Sequence, residues 1–125
     1  MILTVRTDKP EAEIGVYSEA GLKLAYKTWQ AHRELSLTIL VVIKELLHGQ
    51  DAEFKNITGI VFYSGPGSFT GLRIGASVVN GLQTKCVNEA GENWIKNGVE
   101  RLQKGESEPA LPHYGEEAHT TLPKK

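Results

Sequence analysis

The residues best placed to do chemistry stand together in Ser64-Gly65-Pro66-Gly67-Ser68-Phe69-Thr70-Gly71-Leu72-Arg73-Ile74-Gly75. The apolar run Ile57-Thr58-Gly59-Ile60-Val61-Phe62-Tyr63 enters this stretch and a helical pattern leaves it. Glycines at such a junction allow a backbone to approach a ligand closely. Ser68 or Thr70 can cap the helix by accepting a bond from one of its unpaired N–H groups. The other unpaired N–H groups and the positive end of the helix dipole suit a phosphate. The candidate phosphate or nucleotide loop is therefore Gly65, Gly67, Ser68, Phe69, Thr70 and Gly71, with Arg73 one turn into the helix. The competing reading is a structural turn.

No standard fingerprint fits this loop. A Walker A loop needs a lysine, and none lies between Lys55 and Lys85. The dinucleotide pattern G-x-G-x-x-G would need glycine where Thr70 stands, and a nucleophile elbow would need glycines where Pro66 and Thr70 stand. His32, His48, His113 and His119 have no metal-ligand spacing, and Glu116-Glu117 beside His119 lie in a polar tail. Cys86 is the only cysteine, which excludes an intrachain disulfide and suits a small packing residue. No catalytic residue and no metal are expected.

Whole-chain properties narrow the classes further. The chain has 125 residues, 40% apolar and 23% charged, with a formal net charge of -1. That balance gives no electrostatic case for nucleic acid. The longest apolar run is Ile39–Ile43, far short of the roughly twenty residues of a membrane span. The N-terminus lacks a basic segment followed by an apolar one, so a cytoplasmic protein is expected.

The elements that must position the loop follow from hydrophobic period. Ile2–Val5, Ala12–Tyr17 and Leu22–Trp29 read as three strands with tight polar turns between them, an antiparallel meander. His32–His48 holds no Gly or Pro and carries two apolar stripes at helical spacing. Leu35, Ile39, Val42, Ile43 and Leu46 form the first stripe; Leu37, Leu40, Val41 and Leu47 form the second. One stripe packs on a sheet and the other needs a cover, from this chain or a partner. Gly49 is expected to end the helix in the left-handed region. A second helix over about 70–83 carries Gly71, Gly75, Ser77 and Gly81 at near four-residue spacing, which suits either internal packing or a helix–helix seam.

The order β-β-β-α-β-α defines an α/β lobe over 1–84. A short helical extension is expected over 85–104 and a polar, flexible tail over 105–125. The candidate partner face joins Leu35, Ser36, Ile39, Val42, Ile43 and Leu46 of the first helix with Gly71, Ile74, Gly75 and Val78 of the second. Alone, such a face is expected to pair two copies about a two-fold axis.

The stretch Ser64–Gly75 resembles the signature of the TsaB (YeaZ) family, in the actin-like ATPase (RNase H-like) superfamily. Arg33-Glu34-Leu35-Ser36-Leu37-Thr38-Ile39 is similar to the family's R-x-H-S-x-x-L helix, with Leu35 in place of its histidine. The resemblance covers about residues 1–84, and Pro112–Ala118 weakly resembles the family's C-terminal end. It implies a single actin-like lobe with a mixed sheet. It also implies a non-catalytic partner and activator of a TsaD-like transferase that makes threonylcarbamoyladenosine in tRNA, with a TsaE-like ATPase joining the complex. Transfer RNA would be reached indirectly through that complex. No nucleotide would bind the chain alone, although one can sit at the partner interface.

Two departures bear on that expectation. Where the family's first strand ends Asp-Thr-Ser, this chain has Arg6-Thr7-Asp8, which argues against ATP hydrolysis by itself. Typical relatives also carry a second lobe of similar fold, so the length favours a partner over an enzyme. The alternative function is a reduced actin-like nucleotide-binding ATPase or kinase using the loop 65–71.

Overall fold

The computed structural model describes residues 1–113. Residues 114–125, which include Glu116, Glu117, His119 and the final lysines, lie outside the described residues. So does most of the segment resembling the family's C-terminal end.

The chain forms β1 (Ile2–Arg6), β2 (Glu11–Tyr17), β3 (Lys23–Gln30), a 3-10 turn at His32–Glu34, and α1 (Leu35–His48). Next come β4 (Gly59–Tyr63), α2 (Phe69–Gly81), β5 (Cys86–Glu89) and α3 (Trp94–Gln103). The sheet order is β3-β2-β1-β4-β5. Short turns leave β1–β2 and β2–β3 antiparallel; helical crossovers make β1–β4 and β4–β5 parallel. The expected meander, helix, parallel strand and second helix are all present.

The sheet runs one strand beyond the expected lobe boundary at 84. β5 has only four residues, too few for a period to register in the sequence. Residues 105–113, read as part of a tail, lie against β5 and α2: the Glu108 N–H donates to the Cys86 carbonyl at 2.8 Å, and Ala110 is buried.

Each face of the sheet has its own core. On one, α1 and α2 bring Ile39, Ile43, Leu72 and Val79 onto Leu3, Val5, Ile14, Ile60 and Phe62. On the other, α3 brings Trp94 and Val99 onto Ile2, Tyr17, Val61 and Val87. α3 lies so close to β4 that a Cβ on Gly98 would overlap the Val61 side chain.

The core also decides between the stripes of α1. Leu35, Ile39, Val42 and Ile43 are 0–5% exposed and belong to this chain's own interior. Burying each such side chain is worth about 1.5–3 kcal/mol, so these four anchor the helix to the sheet. Leu46 is half-buried against the same core. Leu47 is buried as well, whereas Leu37, Leu40 and Val41 face outward. The helix end also differs from expectation. Gly49 stays right-handed at φ -63°, and the left-handed residue is Asp51 at φ 54°.

Candidate functional site

The glycine-rich loop leaves β4 and turns into α2 directly over the end of β1. Ser68 is the cap: its Oγ accepts from the Gly71 N–H at 3.4 Å, and its own N–H donates to the Asp8 carbonyl at 2.9 Å. Thr70 lies within the first turn and does not cap. The Thr7 hydroxyl donates to the Gly71 carbonyl at 2.8 Å.

Sterics explain the glycines. A Cβ on Gly67 would overlap Asp8, one on Gly71 would overlap the Thr7 carbonyl oxygen, and one on Gly75 would overlap the Thr7 hydroxyl and crowd Phe62. Gly71 and Gly75 therefore serve the approach of α2 to β1 within this chain. Gly81 has nothing within 4 Å of an added Cβ.

The acid nearest the loop is already neutralised. Arg6 Nε lies 2.8 Å from Asp8 Oδ1, and Nη2 lies 3.3 Å from Oδ2. The guanidinium also stacks 4.0 Å from the centre of the Tyr63 ring. Burial pulls the Arg6 pKa down, but the hydrogen bond and charge of Asp8 outweigh it and hold the group above its ordinary range. A cation-bound phosphate placed at Asp8 would have to displace Arg6. Arg6 ends β1 and Asp8 lies in the bend after it, so the pair closes across a two-residue separation.

Two grooves flank the N-terminal half of α2. One, of about 270 Å³, is lined by Lys9, Pro10, Ala31, Arg33, Leu35, Ser68, Thr70, Gly71 and Ile74. The other, of about 330 Å³, is lined by Ser36, Thr70, Arg73, Ile74, Ser77 and Val78. Lys9 reaches Glu13 at 3.7 Å, and Arg73 lies 5.2 Å over the Phe69 ring. Of the expected partner-face residues, Ser36, Ile74 and Val78 line the second groove.

α1 also presents large apolar side chains outward. Leu37 is 73% exposed, Val41 54% and Leu40 44%, and Phe69 at the start of α2 is 54% exposed. The exposed large apolar side chains of α1 thus come from the second stripe. Among the described residues no group of three or more His, Cys, Asp or Glu is placed to hold a metal ion, and no helix is long and apolar enough to cross a membrane.

Comparison with known proteins gives consistent matches. A family model described as TsaD, tRNA N6-adenosine threonylcarbamoyltransferase, matches residues 29–89. The chain is 31% identical over 83 residues to the tRNA threonylcarbamoyladenosine biosynthesis protein TsaB of Buchnera aphidicola subsp. Acyrthosiphon pisum, covering 66% of this chain and 36% of the relative. It is 24% identical over 111 residues to the protein of the same name from Escherichia coli, covering 81% of this chain and 47% of the relative. Among solved structures, YeaZ from Pseudomonas aeruginosa superposes with a TM-score of 0.64 at 26% identity, covering 71% of this chain and 43% of that one. The chain spans less than half the length of each of these relatives.

Proposed function

From the likeness of this chain's actin-like lobe to the TsaB and YeaZ proteins, we propose a non-catalytic partner and activator of a TsaD-like transferase. Its process is the threonylcarbamoyladenosine modification of tRNA. The observation that carries this reading is the apolar face of Leu37, Leu40 and Val41, which stands exposed on α1. Ser36, one turn before Leu40 on α1, lines a groove with Ile74 and Val78 of α2. Charge at the loop argues in the same direction, because Arg6 already occupies Asp8.

On this reading the protein works in the cytoplasm and meets tRNA only through the complex. A TsaE-like ATPase joins the pair, nucleotide sits at the shared interface, and two copies of this chain pair through the same face when the transferase is absent. The test mixes the full chain with the cognate TsaD-like transferase and measures association by size exclusion and calorimetry. A heterodimer that weakens at least tenfold with Leu40→Asp and Val41→Asp supports the reading. No association by the unsubstituted chain, or ATP hydrolysis by this chain alone, overturns it.

A further inference from the structure

Residues 106–113 do not form a strand, yet they occupy the open edge of β5. Backbone bonds are few: the Glu108 N–H meets the Cys86 carbonyl at 2.8 Å, and the His113 N–H meets the Ser64 carbonyl at 2.6 Å. Side chains supply the rest. The Asn88 amide donates to Glu108 Oε2 and the Pro109 carbonyl at 2.9 and 2.8 Å, and its oxygen accepts from the Leu111 N–H at 2.8 Å. Asn80 of α2 makes a reciprocal pair with the backbone of Ala110, at 3.1 and 2.9 Å. Arg101 of α3 holds Glu106 and Glu108 at 2.6 and 2.9 Å and ties both to Glu89 at 3.0 Å. Pro109 and Pro112 lack N–H groups and so offer no donors to a further strand.

This segment ends on the glycine-rich loop. His113 bonds the residue that opens the loop, and its carbonyl oxygen fills the space a side chain on Gly65 would need. The far end of the same loop is Ser68, held by Asp8 and capping α2. We propose that residues 106–113 are a strap that positions the glycine-rich loop. Seated on Asn80, Asn88 and Arg101, the strap presses on Ser64-Gly65 and thereby fixes where α2 begins. Release of the strap frees the loop and shifts the first turn of α2. The consequence for partner binding rests on the docking face proposed above, beside which Ile74 of that helix lines the groove. The positioning itself does not.

The test uses the full chain and amide hydrogen exchange. His113→Pro removes the single N–H that reaches Ser64 and leaves the other anchors; Asn88→Ala removes the strap's central clamp. Both are expected to speed exchange at the Ser68 and Leu72 amides at least tenfold, with Val5 and Ile14 in the sheet unchanged. Faster exchange confined to Glu108, Leu111 and His113 in Asn88→Ala, with Ser68 and Leu72 at their original rates in both variants, overturns the proposal. Should Asn88→Ala fail to fold, His113→Pro, whose side chain is exposed, carries the test alone. Association with the TsaD-like transferase is then measured for the same variants, with at least a fivefold loss expected for a loosened loop. A transferase that ignores the unsubstituted chain refutes the functional reading, while the exchange result still decides the strap.

Discussion

The Thr7 hydroxyl occupies the space that a side chain on Gly75 would need. The same hydroxyl donates to the Gly71 carbonyl one turn earlier, so a single threonine at the end of β1 sets the height of α2 above the sheet. Gly75→Ala should therefore destabilise the chain itself, by about 1–3 kcal/mol as for other overpacked sites. Denaturant midpoints measure this directly. Thr7→Ala in the same chain should recover part of the loss, giving a coupling between the two sites. Unchanged stability on Gly75→Ala would return this glycine to the partner face.

Arg6 and Asp8 make a second close relationship at that strand end. Arg6→Gln leaves the Asp8 carboxylate, only 6% exposed, without its cation. A loss of about 1–3 kcal/mol is expected, the usual cost of a buried polar group left unpaired. Asp8→Asn added to Arg6→Gln should reduce that loss, because the remaining group carries no charge. Thermal unfolding of the single and double variants checks both steps.

The strap should respond to acid. Glu108 is held below the ordinary carboxylate range, chiefly by the Asn88 backbone N–H against the opposing pull of burial, and further by the Asn88 side chain and Arg101. A depressed folded-state pKa means the stabilisation is complete above the unfolded value of about 4.3 and is lost as pH falls through the folded value. Glu108→Gln should flatten that part of the pH–stability curve. A curve identical in both proteins would show that Glu108 titrates alike whether folded or unfolded.

Cys86 should be inert while the protein is folded. Burial, helped by the charge of Glu108, pushes its thiol up to about 12. Almost no thiolate is present at pH 8, so labelling by a thiol reagent should be at least tenfold slower than in denaturant. Rapid labelling of the native chain would mean that β5 opens readily.

Much of this was readable from the sequence because local chemistry and period agree. The meander, the α1 helix and the strand–loop–helix junction each carry a period or a turn signal that survives without tertiary context. The signature Ser64–Gly75 marked the loop, and Ser68 caps α2 as its residue type suggested. Short elements escaped. β5 shows only Cys86 and Val87 as apolar residues, and the strap is an irregular segment held by side chains from three elements.

The face of each residue was the other thing hidden. Two equally apolar stripes on α1 cannot be ranked by periodicity, since both satisfy a helical repeat. Only the position of the sheet buries Leu35, Ile39, Val42 and Ile43 and leaves Leu37, Leu40 and Val41 outside. The glycines of α2 were ambiguous for the same reason: small residues permit close approach, but the sequence does not say of what. By itself, the sequence determined the elements from β1 to α2, their order and the loop between β4 and α2, because these depend on neighbours along the chain. The tertiary structure alone decided which stripe faces out, that Thr7 fills the space over Gly75, and that residues 106–113 return to the loop. Those relationships join residues distant in sequence, and no local pattern encodes them.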